Sequence, residues 1–333
     1  MATYCLYTNI HNSKLTDGIK AKGKNVMSTN IVDNVSLPFV TKNVSDDGVL
    51  FKSNKFDKDG KPIYRTTYKK AEHKGLSITY SENNNFRIVG SIHKYYNDGL
   101  HNFNDFTETI CKATIVKLCN EFGINPNTFI LENLEIGINF KPPARTNDIL
   151  DLCFLHSTKP FESKYDNQFG RYIQCVHSQY IIKIYNKALQ YSAKGFKIDE
   201  DIMRFEIKFT VMERLNKLGI KTVTDLLSFD FRKFKSMLLK EWDKVLLFDK
   251  SIMDLKGFNQ KYASDVYWKD LLKRDSHSAY YKHRRKLNEF TLKNSNDLKG
   301  KIKETMNNKI DYLTDKGTRF ERLPIISIPV PSI

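Results

Sequence analysis

Polar and apolar residues alternate most clearly through the middle third of the chain. Leu76-Ser77-Ile78-Thr79-Tyr80 alternates, Glu82-Asn83-Asn84-Asn85 reads as a turn, and Phe86 to Lys94 reads as the return strand of a hairpin. Asn102 to Phe122 has apolar residues at helical spacing, with Asn104 or Asp105 to cap it and Gly123 to end it. A strand is predicted over Phe129 to Phe140, then a loop at Pro142-Pro143, a long hairpin around Tyr172 to Tyr185, and a strand over Met203 to Val211. Ile182 and Ile184 point to one side of the hairpin's second strand, and Lys183, Tyr185 and Lys187 to the other.

Beyond Val211 the period changes. Glu213 to Gly219 is a short helix, and Thr222 with Asp225 has the form of a capping box. Phe231 to Phe248, Lys261 to Arg274, Ala279 to Thr291 and Asp297 to Leu313 read as helices, and a strand pattern returns only at Ile325 to Pro329. The predicted fold is α+β. Residues 1–213 form an antiparallel sheet with helices on one face, with 1–60 poorly defined as short strands and loops. Residues 214–333 form a basic, mostly helical domain.

Composition sharpens this. The 333 residues are 40% hydrophobic, so the chain is globular, and no run of about 18 apolar residues predicts a membrane span. No basic-then-apolar signal-peptide pattern opens the chain, which fits a cytoplasmic protein. Five cysteines without CxxC spacing argue for free thiols and against a zinc site or disulfide framework. Lys and Arg number 54 against 38 acids, a net charge of +16 that points to a polyanionic partner, most often nucleic acid. A lysine-rich, AT-rich genome would inflate the same counts.

The polar faces of three strands combine into one constellation. Glu135, Gly137 and Asn139 oppose apolar Leu134, Ile136, Ile138 and Phe140. Arg204, Glu206 and Lys208 share a second face, and Lys183, Tyr185 and Lys187 a third. If the alternation runs back unbroken, His177 joins them. A phenol between ammonium groups suits attack on a phosphodiester, with the cations favouring the phenolate and holding the phosphate. Glu135 and Glu206 with His177 offer ligands for Mg²⁺ or Mn²⁺, with His156, His93 and Asn139 as alternative third ligands. The same residues also admit plainer roles: Glu206 as a cross-strand ion pair, Asn139 as turn chemistry, Gly137 as a bulge, the histidines as ordinary hydrogen-bonded side chains.

The order of an LEIGINF strand, a hairpin ending in IKIYNKALQ, an MRFEIKF strand and the segment LNKLGIKTVTDLL resembles rolling-circle replication initiators. These are the staphylococcal-type plasmid initiators and, more remotely, the filamentous-phage gene II protein. The similarity spans about Leu76 to Leu227, and GSIHKYYNDGLHNFNDF also looks like phage and plasmid replication proteins. The resemblance implies an HUH-like relaxase. Such an enzyme nicks one origin strand through a tyrosine that stays joined to the 5′ phosphate, leaves a 3′ hydroxyl primer, and later rejoins the ends. Tyr185 and Lys187 match its IYNK motif, and Glu135 and Glu206 match its acidic metal ligands. The histidine pair separated by one residue, typical of many such nickases, is absent, and Glu135 stands where relatives more often carry Asp.

Implied partners are origin DNA, both duplex and single-stranded, a host helicase and a second copy of the chain. Lys183, Arg204 and Lys208 are expected to line the single strand. Tyr281, Arg284 and Arg285, within the basic run Tyr280 to Lys286, are expected to lie against duplex phosphates. An origin-binding replication protein that does not cut would keep the charge and need no metal.

Overall fold

The structure, a computed structural model, describes residues 7–11, 68–81, 86–166, 170–274 and 277–315. The predicted strand at Ile325 to Pro329 and most of the first sixty residues lie outside them. Strands β1 (Tyr7–His11), β2 (Tyr68–His73), β3 (Leu76–Ser81) and β4 (Phe86–Ser91) come first. Helices α1 (Ile92–Tyr96) and α2 (Glu108–Glu121) follow, then β5 (Ile130–Phe140), α3 (Thr146–Leu152), β6 (Cys153–His156), β7 (Lys159–Pro160), β8 (Glu162–Asp166), β9 (Gly170–Val176) and β10 (Tyr180–Asn186). The chain continues through α4 (Lys187–Ser192), β11 (Met203–Phe209), α5 (Glu213–Asn216), α6 (Val223–Ser228), α7 (Arg232–Asp243) and β12 (Val245–Leu247). It ends in α8 (Asp265–Arg274), α9 (His277–Asn294) and α10 (Leu298–Thr314).

Among the described residues, nine strands form one sheet in the order β2-β3-β4-β1-β5-β11-β10-β9-β8, and β12, β6 and β7 form a second. Every pairing is antiparallel. The fold is α+β, as the alternation predicts. Side-chain alternation places Leu134, Ile136, Ile138 and Phe140 of β5 on the same face as Phe205, Ile207 and Phe209 of β11 and Ile182 and Ile184 of β10. All are buried, and helices cover them: Trp242 of α7 meets Phe205 edge-on at 5.6 Å, and α10 packs on β5 and α7. No helix among the described residues is long and apolar enough to cross a membrane.

Local chemistry moved several boundaries. The strand expected to reach Lys94 stops at Ser91, whose hydroxyl accepts from Lys94 N at 3.2 Å and caps α1. The helix expected from Asn102 begins at Glu108, capped by Thr107 and not by Asn104 or Asp105. Asn186 ends β10 and caps α4 through Leu189 N at 2.9 Å, so Lys187 opens a helix and does not continue the strand. The capping box of Thr222 and Asp225 is present. The helix predicted to Phe248 ends at Asp243, and Val245–Leu247 pairs with β6. The change near residue 213 is one of secondary structure. The hydrophobic core runs without a break from Leu76 to Leu313, so the later helices and the sheet share it.

Candidate active site

The register of β9, β10, β11 and β5 arranges the polar face in rows. Tyr172, Tyr185, Arg204 and Asn139 lie side by side across the four strands. Gln174, Lys183, Glu206 and Gly137 form the next row, and Lys208 with Glu135 the one after. Glu135, Glu206, Lys183, Tyr185, Arg204 and Lys208 therefore share one face, as alternation predicts. Lys187 reaches them from the first turn of α4, its ammonium 5.3 Å from the centre of the Tyr185 ring and 5.0 Å from that of Tyr191.

The centre is a shared carboxylate. Tyr185 donates its hydroxyl proton to Glu206 Oε2 at 3.1 Å, and Arg204 Nε donates to the same oxygen. Lys183 Nζ stands 3.5 Å from Glu206 Oε1. Arg204 Nη1 donates to Asn139 Oδ1 at 3.0 Å, and its Nη2 is 3.9 Å from Glu135 Oε1. The guanidinium thus lies between the two carboxylates, and Gly137 makes this possible. A Cβ on Gly137 would stand 2.5 Å from Arg204 Nη2 and 2.8 Å from Glu206 Cβ, so Gly137 marks a close approach and no bulge.

A solvated face was expected here, and this one is buried. Exposure is 1% for Arg204, 2% for Glu206 and Lys187, 6% for Glu135 and 9% for Tyr185. Part of the cover is the segment before α2: Asn139 Nδ2 donates to Asn102 O at 3.1 Å, and Tyr191 donates its hydroxyl to Asn102 Oδ1 at 2.6 Å. Burial separates the two acids. Burial first, and then the neighbouring Glu206 charge, raise the Glu135 carboxyl to about 7. Burial also pushes Glu206 up, but Arg204 and Lys183 outweigh it and hold that carboxyl below its ordinary value. Burial works against the Lys183 ammonium, yet Glu206 and Glu135 raise its pKa. At neutral pH three cations therefore face one full carboxylate and one that is partly protonated, an arrangement that attracts a phosphodiester.

The expected metal shell does not assemble. The turn 177–179 between β9 and β10 breaks the period, and His177 swings to the helix-covered side. There it stacks on Tyr180 at 4.6 Å and meets His156 and Cys175, with the sheet between it and the carboxylates. His93 is buried and bonded to Asn104 Oδ1 at 2.6 Å, and Asn139 is occupied by Arg204 and Asn102. The position between Glu135 and Glu206 where an ion would sit is taken by the guanidinium, so these residues as arranged do not fit Mg²⁺ or Mn²⁺.

The basic run on α9 divides as well. Tyr281 and Arg285 are exposed, and Arg285 stands 3.7 Å from Glu289. Arg284 turns inward and donates to Asp243 O at 2.7 Å and Val245 O at 3.4 Å, so it braces the end of α7 and β12. Tyr280 is buried and bonded to Ser157 O. Sequence reasoning missed Asn102 and Tyr191, which close over the site. It also missed His156 and Cys175 as neighbours of His177, although the C-x-H spacing of Cys175 and His177 is visible in the sequence.

No protein-family profile and no curated protein sequence matches the chain. Among solved structures the chain is similar to the rolling circle replication initiator protein from Geobacillus stearothermophilus. The identity is 13% and the TM-score 0.37, over 82% of this chain and 96% of that one.

Proposed function

We propose that the chain is a replication initiator that nicks one strand of its origin DNA through Tyr185. The phenol oxygen attacks the scissile phosphorus and forms a 5′-phosphotyrosine. The bond from phosphorus to the 3′ oxygen breaks, the phenol proton leaves through the Glu206 hydrogen bond, and the departing 3′ oxygen takes a proton. Arg204, Lys183 and Lys187 offset the charge that builds on the phosphate oxygens. Attack by the 3′ hydroxyl on the phosphotyrosine reverses the reaction and rejoins the strand. The observation that carries this reading is the bond from Tyr185 to a carboxylate oriented by Arg204, inside a site with excess positive charge. The IYNK and RFE segments supply the same tyrosine, lysine and glutamate by resemblance. Origin DNA is the proposed partner, with a host helicase acting on the opened strand and a bacterial cytoplasm as the setting.

Tyr185 is 9% exposed, and this favours one second reading: an origin-binding replication protein that does not cut. Supercoiled DNA carrying the cognate origin separates the two. The nicking reading requires relaxed circles with covalently attached protein, lost in Tyr185→Phe. Binding without relaxation by the parent chain supports the second.

A further inference from the structure

On the far side of the sheet, three side chains converge that the nicking reading does not use. His156 ends β6, Cys175 lies near the end of β9, and His177 stands in the turn that follows. His156 Nδ1 is 2.8 Å from His177 Nε2, Cys175 Sγ is 3.4 Å from the same nitrogen, and the donor atoms all lie within 4.8 Å of one another. Donors around a tetrahedral zinc ion, with bonds of about 2.0 Å to nitrogen and 2.3 Å to sulfur, stand roughly 3.3–3.7 Å apart, so small side-chain adjustments suffice. His156 and Cys175 are wholly buried and His177 is half-buried, which leaves an approach from the turn.

The surroundings orient the set. His156 Nε2 faces Glu241, 3.1 Å from its backbone oxygen and 3.3 Å from carboxylate Oε2. The ring's proton therefore sits on Nε2, and the Nδ1 lone pair points at Cys175 and His177. A carboxylate behind a ligating histidine is the usual support of a metal-bound imidazole. Glu241 is itself 1% exposed and fixed by Lys244 at 2.9 Å, Arg214 at 3.0 Å and the Tyr180 hydroxyl at 3.1 Å.

We propose that His156, Cys175 and His177, with Glu241 behind them, form a binding site for a transition-metal ion of the zinc class. Two imidazoles and a thiolate select a borderline-soft ion over Mg²⁺ or Ca²⁺. Three protein ligands leave a fourth position for water. Binding releases one proton, from the Cys175 thiol, while His177 moves its ring proton from Nε2 to Nδ1. Burial raises the Cys175 thiol to about 12, so the ion must drive its deprotonation. Lys159, whose Nζ bonds Val176 O at 3.1 Å, is a nearby cation that opposes the ion's charge and favours the thiolate, and Lys244, bonded to Glu241, also opposes that charge. The bound ion would tie the small sheet and the β9–β10 turn together, with α7 held through Glu241.

The test uses the full chain, purified without chelator. About one equivalent of zinc should be found by elemental analysis. Co²⁺ titrated into the stripped chain should give tetrahedral ligand-field bands and a thiolate-to-cobalt charge-transfer band. Cys175→Ser should lose that charge-transfer band with its circular dichroism unchanged. Glu241→Gln should keep the band and weaken Co²⁺ affinity about 10- to 100-fold, as a support and not a ligand. In the parent chain, which needs no variant, Zn²⁺ should protect Cys175 from alkylation and leave Cys111, Cys119 and Cys153 unaffected. A cobalt spectrum without the thiolate band, or alkylation of Cys175 at the same rate with and without Zn²⁺, would overturn the proposal. Neither result bears on nicking by Tyr185.

Discussion

Glu206→Gln and Glu135→Gln alter two carboxyl groups on the same face and should have unequal consequences for stability. Glu206 Oε2 takes hydrogen bonds from Tyr185 and Arg204, and its other oxygen is 3.5 Å from Lys183. Neutralising it leaves a 1%-exposed guanidinium without its main counter-ion. Removing one partner of a buried pair costs about 3–5 kcal/mol, and because the amide oxygen still accepts one bond, we expect about 3 kcal/mol. Glu135 is different. Its carboxyl is raised to about 7, so glutamine resembles a form already populated, and the expected change at neutral pH is under about 1 kcal/mol. The signs with pH also differ. Glu135 has its folded pKa above the ordinary 4.5, so its contribution is full below 4.5 and is lost as pH rises through about 7. Glu206 has its folded pKa below 4.5, so its contribution is present above that value and is lost as pH falls beneath it. Urea unfolding followed by circular dichroism reads both. Glu135→Gln should abolish its share of the parent's rise in stability between about pH 7 and pH 4.5, and Glu206→Gln should flatten that rise only in part, because burial, the larger cause, remains. Equal losses in the two variants at neutral pH would refute the asymmetry and the placement of Arg204.

The other predictions concern neighbouring parts. Gly137→Ala should cost about 1–3 kcal/mol in the same urea assay, because its Cβ would meet Arg204 Nη2 at 2.5 Å; an unchanged midpoint would contradict the close approach. Arg285→Ala should weaken duplex binding and lower the log–log salt slope by about 0.9 while leaving stability alone. Arg284→Ala should instead lower stability by about 1 kcal/mol, a modest cost because Lys299 also donates to the Asp243 and Val245 carbonyls. Nicking should persist in EDTA, since the cation between Glu135 and Glu206 is Arg204. Abolition by EDTA with restoration by Mg²⁺, an ion ill-suited to the His156–Cys175–His177 set, would show that the guanidinium gives way to an ion at the carboxylates.

The sheet was legible because period-2 patterning over β5, β10 and β11 is long and uninterrupted, and register then carries it across strands. Glu135, Glu206, Lys183, Tyr185, Arg204 and Lys208 were grouped correctly for that reason. Alternation carried back from β10 puts His177 on the wrong face because it does not survive a turn: β9 ends at Val176, β10 begins at Tyr180, and residues 177–179 belong to neither strand. Alternation alone carries the strand through Lys187, whereas the Asn186 side chain caps a helix there and ends it. The three residues of β12 follow a helix directly and carry too short a pattern to stand apart from it. The burial of Arg204 depends on Asn102, far away in sequence, which no local pattern reports. The His156–Cys175–His177 cluster likewise joins two sheets, so spacing gave only the Cys175–His177 half of it.

Tyr185 is the proposed nucleophile. The most direct test of that role is to incubate the chain with single-stranded origin oligonucleotide, digest the covalent product and locate the nucleotide-bearing peptide by mass spectrometry. The expected product is a 5′-phosphonucleotide on Tyr185, with no adduct from Tyr185→Phe. An adduct on Tyr172, Tyr180 or Tyr191, or an undiminished adduct in Tyr185→Phe, would contradict it.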